Sequence, residues 1–147
     1  MRNFQFKFIH RKIATEYLLY KIRIHESPDC NLCETYPQTL MHLFLKCEIV
    51  RSFWNEIFSW LKGKKIRQNM FTEEEICFGT LMLDQFYLVN TVILHAKYFI
   101  FSCTIQNTIP KFQPFLVSVR HLERIKRIIA FIQNRLKLHA KKMLTLA

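Results

Sequence analysis

The chain has 147 residues, 22 Lys and Arg against 11 Asp and Glu, and a formal net charge of +11; half of it is hydrophobic, with 14 phenylalanines. That is one domain's worth of chain, and so much apolar material builds a core, which excludes a disordered polypeptide despite the charge. Two glycines are too few for a dinucleotide fingerprint or a phosphate loop, and Asp29 and Asp84, the only aspartates, offer no paired-aspartate metal site for polymerase or nuclease chemistry. The counts argue against a stand-alone enzyme.

The first eight residues are basic but lack the apolar core and cleavage site of a secretory signal, so an intracellular protein is expected, in cytoplasm or nucleus. Phe4-Gln5-Phe6-Lys7-Phe8 is the one stretch with strand-like alternation; elsewhere apolar residues recur at helical spacing. The expected class is all-α, an irregular helical bundle with a small metal knuckle in its N-terminal third. No repeat or low-complexity linker divides it, so residues 1–147 read as a single domain. Residues 1–25 carry net +5, residues 26–110 net −2 and residues 111–147 net +8, so the two ends hold the whole positive excess. Clustered cations of this kind are the electrostatic footprint for a polyanion or, equally, a solvated helix face.

Cys30, Cys33, His42 and Cys47 spell C-x2-C-x8-H-x4-C within residues 30–47. Two cysteines on a tight turn direct both thiolates inward, and a histidine and cysteine from the next segment complete a tetrahedron suited to Zn²⁺. All four positions are then filled by protein, which makes the site structural. The competing reading, buried small apolar residues adjacent by chance, fits the spacing less well. His42 and Cys47 are five residues apart, and five α-helical steps of about 100° leave their side chains roughly 140° apart. A continuous α-helix therefore cannot aim both at one ion. The expectation is a helix capped near Thr39, broken at residues 45–47, with a new amphipathic helix over residues 49–61 stopped by Gly63. His25 is a weaker candidate ligand, and Tyr36 reads as a loop-packing residue or, less simply, a stacking platform for a base.

Thr72 and Glu75 form a capping box that opens a helix over residues 73–78. Residues 86–106 are apolar almost all round, long enough to span a membrane, but Lys97 near the centre makes a buried core helix the better reading. After Pro110 and Pro114 a long basic helix is expected over about residues 112–142, with Phe115, Val119, Leu122, Ile125, Ile129, Ile132 and Leu136 on its apolar stripe. Cys77 and Cys103 read as core residues, and His95, His121 and His139 as core or solvated ones.

Residues 8–15 (Phe-Ile-His-Arg-Lys-Ile-Ala-Thr), Tyr17-Leu18, the Cys/Cys/His/Cys cluster with His42-Leu43-Phe44, and Phe53-Trp54 together resemble the zinc-binding domain in the C-terminal region of LINE-type (non-LTR) retrotransposon reverse transcriptases. Residues 96–100 and His139-Ala140-Lys141-Lys142 resemble the tail of the same polyproteins, where a tryptophan commonly follows the lysine pair; Met143 stands there instead. The resemblance implies a segment that helps bind template RNA or target DNA, while endonuclease and polymerase lie upstream in a parent protein. It implies a detached C-terminal piece or the product of a decayed element, binding but not polymerising. The expected phosphate contacts are Lys7, His10, Arg11 and Lys12 at one end, and Arg120, Arg124, Arg127, Lys137, Lys141 and Lys142 at the other. The alternatives are a helical scaffold docking on the polymerase body, and a translated relic without function.

Overall fold

The computed structural model describes residues 2–80 and 87–132. These form α1 (Arg2–Ile9), α2 (Glu16–Lys21), a π-helical turn (His42–Lys46), α3 (Glu48–Gly63), α4 (Glu73–Phe78), α5 (Tyr87–Ile105) and α6 (Phe112–Ile132), with no strand among the described residues. The class is all-α, as the spacing predicts.

The alternating Phe4 to Phe8 stretch is helix, not strand. Phe4 and Phe8 are one helical turn apart and both buried, while Phe6 faces solvent. A period-two pattern over five residues also satisfies an i, i+4 pair, and packing decides between them. The buried pair meets Phe44 of the π turn edge-on, at 6.3 Å from Phe4 and 5.0 Å from Phe8, and Phe4 continues to Tyr98 and Phe101 of α5. On the other side of the core, Phe53 of α3, Phe99 of α5 and Phe115 of α6 pack at centroid distances of 5.3 to 5.8 Å. Phenylalanine abundance is thus spent on two ring clusters that tie the helices together, each pair adding a modest increment beyond its buried area.

α5 is the central helix. Ten of its residues are buried, His95 and Lys97 among them. Lys97, 1% exposed, donates to the Gln5 side-chain oxygen at 2.7 Å and the Cys77 carbonyl at 3.0 Å, and its ammonium lies 4.3 Å above the Phe8 ring. Burial pushes its pKa down to about 8. Gln5 also donates to the Cys77 carbonyl, so one polar node joins α1, α4 and α5. His95 bonds Ser118 of α6 at 2.8 Å, and burial lowers its pKa to about 4, which keeps it neutral. Cys77 and Cys103 are buried, their thiols raised by desolvation, as core cysteines are.

The Thr72–Glu75 capping box forms in both directions. Gly63, by contrast, does not stop α3: it is the last helical residue, and the left-handed position falls on Lys65, whose φ is +57°. Ile66 N–H bonds the Leu61 carbonyl and Lys65 N–H the Lys62 carbonyl, a Schellman closure. The same closure ends α1 at Arg11, α2 at Arg23 and α5 at Asn107. With two glycines in the chain, cations take most of these positions and gain from the negative helix terminus.

The apolar stripe of α6 is only half used. Phe115 and Val119 are buried, but Ile125 and Ile129 are exposed, because the packing against α3 and α5 involves the first turns of α6. Ile132 and Leu136, as buried stripe positions, and the helix beyond residue 132 lie outside what is described.

Candidate metal centre

The knuckle is a tight loop folded back on itself. Asp29 and Pro37 face each other in an antiparallel bridge, Gln38 N–H bonds the Pro28 carbonyl, and Cys30 N–H bonds the Tyr36 carbonyl at 2.8 Å. Glu34, in the left-handed region at φ +54°, closes the Cys30–Cys33 turn with an N–H bond to the Cys30 carbonyl. Asn31 ties the loop to the C-terminus of α5 through the Thr104 carbonyl and the Asn107 side chain.

The second ligand pair comes from the π turn. Thr39 Oγ1 accepts the His42 N–H, and the Cys47 N–H bonds the His42 carbonyl at 2.7 Å, an i→i+5 closure. Five residues make roughly one full π turn, so His42 and Cys47 come to one side, which an α-helix forbids. Cys47 is then extended, with ψ 127°, and α3 begins at Glu48. The expected break at residues 45–47 is there, and the winding before it is π, not α. The Phe44 carbonyl within the turn accepts the Trp54 indole N–H at 2.9 Å.

One donor atom from each of Cys30, Cys33, His42 and Cys47 lies within 4.8 Å of every other, and Cys33 Sγ is 3.3 Å from His42 Nε2. Zinc–ligand distances of about 2.0 to 2.3 Å place tetrahedral donors roughly 3.3 to 3.8 Å apart, so the cluster closes on an ion with small adjustments. The Cys30 and Cys47 thiols interact so closely that one is favoured as the thiolate, Cys30 lowered and Cys47 raised by the other sulfur. Backbone N–H groups of Cys33 and Leu32 favour the Cys30 thiolate, and those of Val50 and Ile49 the Cys47 thiolate. Such donors neutralise the excess charge of three thiolates around a divalent ion. The donor chemistry is therefore that of a closed, structural Cys3His metal centre.

Gln38 is the residue that spacing does not reveal. Its side chain, 1% exposed, accepts the Glu16 N–H at the start of α2 and donates to Asn31 Oδ1 at 2.6 Å and to Cys30 Sγ at 3.7 Å. It fixes a ligand from behind, and nothing in a lone glutamine marks it beforehand. Gln38→Leu is expected to weaken metal binding about 10-fold or more, read by competition with a chromophoric chelator, because such partners typically contribute 10- to 100-fold. Equal affinity in the variant refutes the role.

His25 is not a ligand; it pairs with Glu16. Lys7, His10, Arg11, Lys12, Arg120, Arg124 and Arg127 are all exposed, and Arg127 pairs with Glu123. Lys137, Lys141 and Lys142 lie outside the described residues, as do His139 and residues 143–147.

A helical domain that brings three thiols and an imidazole into one cluster has the donor set of a small structural metal-binding module. Residues 1–54 match the family described as zinc-binding in reverse transcriptase, a match that takes in all four candidate ligands and ends at Trp54, the residue bonded to the π turn. This N-terminal part of the chain, a little over a third of it, is thus similar to the zinc-binding region of reverse transcriptases. No curated protein and no solved structure matches the chain.

Proposed function

We propose that the chain is a zinc-stabilised nucleic-acid-binding segment of a LINE-type reverse transcriptase, acting inside the cell on template RNA or target DNA and catalysing nothing itself. The observation that carries this reading is the basic end of α1: Lys7 on the helix and Arg11 and Lys12 in the turn that closes it are exposed, without an acid partner among the described residues, and the helix packs its buried face on the turn that carries His42. Unpaired cations held by a rigid element contact phosphates with little reorganisation. Arg120 and Arg124 on α6 add a second exposed set, also without an acid partner among the described residues. Zn²⁺ serves to hold the knuckle and α1 in place, and the contacts position nucleic acid without reading bases.

The reading is tested by binding of the metal-loaded chain to RNA and DNA across a salt series. The logarithm of affinity should fall linearly with the logarithm of salt, and Lys7→Ala with Lys12→Ala should make the slope shallower by about 1.5 to 2. Absent or salt-insensitive binding overturns it. The second reading, docking on a polymerase body, is favoured by the exposed Ile125, Ile128 and Ile129 of α6; it calls for salt-insensitive association with upstream polymerase sequence.

A further inference from the structure

A cleft of about 330 Å³ opens beside the metal centre, between the knuckle and the start of α3, with Thr35, Tyr36, Lys46, Glu48 and Arg51 around it. Tyr36 is 59% exposed although its backbone is fixed by the Cys30 N–H bond, and its ring leans on the ligand His42 at 5.7 Å. An aromatic ring anchored at its backbone and left open to water offers surface to a flat partner. Lys46 is drawn away to Glu73, whereas Arg51 is exposed and has no acid partner among the described residues. Glu48 lines the same cleft, and its negative charge rejects a phosphate there. Tyr36 and the exposed Arg51 line one cleft, which suits an uncharged flat group on the ring with an anion at the guanidinium.

We propose that this cleft binds one unpaired nucleotide of a single strand, its base stacked on Tyr36 and its phosphate held by Arg51. The proposal rests on the nucleic-acid reading above and adds a place and a preference: a paired base must first be unpaired and unstacked to reach the ring, which costs free energy, so single strands are favoured over duplex.

The test uses the metal-loaded, full 147-residue chain and a labelled oligonucleotide of about 12 nucleotides as single-stranded RNA, as single-stranded DNA and as duplex. Tyr36→Ala should weaken single-strand binding roughly 10-fold with an unchanged salt slope, since stacking releases no counterions, and Tyr36→Phe should stay within about twofold of the parent. Arg51→Ala should weaken binding and lower the slope by about 0.7 to 1. Metal content, measured for each variant, separates lost stacking from a lost fold, and Tyr36→Phe holds the ring in place where alanine disturbs the knuckle. Binding that Tyr36→Ala leaves unchanged, or a duplex bound as well as the single strand, overturns the cleft and leaves the basic surface standing. A parent chain that binds no nucleic acid overturns both.

Discussion

Replacing Cys30 and Cys33 together by serine, or stripping the metal with a chelator, is expected to abolish the cooperative thermal transition of the domain and lower its helical circular dichroism. The size of the effect follows from two magnitudes. Structural zinc in small modules contributes an apparent binding free energy of about 10 to 16 kcal/mol near neutral pH. A domain of this size is stable by roughly 5 to 15 kcal/mol in total. Removal of the ion therefore costs as much as the fold has. The loss spreads because the ligands are not on a dispensable loop: Cys30 and Cys47 are fully buried, Cys47 leads directly into α3, and Asn31 and Gln38 bind α5 and α2. Without the ion, three sulfurs and an imidazole crowd one buried space, paired only by weak hydrogen bonds. Ligands must be deprotonated to bind, so acid should release the metal and reproduce the same transition. A double variant that melts at the parent temperature, from a parent that purifies without metal, removes the centre altogether.

The four-residue cluster was legible because thiolate and imidazole chemistry constrains spacing tightly, and the need for a break between His42 and Cys47 followed from helix geometry alone. The way the break is made was not legible. An apolar run such as Leu43-Phe44-Leu45 is compatible with α or π winding, and the contacts that accompany π here, the Cys47 N–H to the His42 carbonyl and the Trp54 indole N–H to the Phe44 carbonyl, are not written in the run itself. The same limit explains α1, whose five alternating residues fit either period until Phe44 supplies a surface for Phe4 and Phe8. Helix termination at Lys65 instead of Gly63 has another cause: three residues of slack separate the last apolar contact, Leu61, from the turn, and hydrogen-bond closure, not residue preference, places the left-handed position. Gln38 and Asn31 act through partners distant in sequence, which a single chain does not reveal.

Phe44→Ala is expected to cost the metal-loaded domain about 3 to 5 kcal/mol, the range for truncating a buried phenylalanine where the surroundings collapse poorly. Collapse is hindered here. Phe44 lies inside the π turn, two residues from His42 and three from Cys47, and a bound ion fixes both. Its ring is fully buried and meets Phe8 edge-on at 5.0 Å and Phe4 at 6.3 Å, so alanine leaves a void between a rigid turn and a helix of eight residues. The variant thus separates two roles that the cysteine variants lose together. Metal stoichiometry should remain near the parent value, because the Phe44 carbonyl still receives the Trp54 N–H and the four donors are untouched. Docking of α1 should fail first, with Lys7, Arg11 and Lys12 losing their fixed position and nucleic-acid affinity dropping while the ion stays bound. Urea unfolding with metal present, metal analysis and salt-titrated binding on one preparation read all three quantities. A loss below about 1 kcal/mol in urea would mean that α1 does not depend on this ring, and unchanged nucleic-acid affinity despite a large loss would detach the basic helix from the function assigned to it.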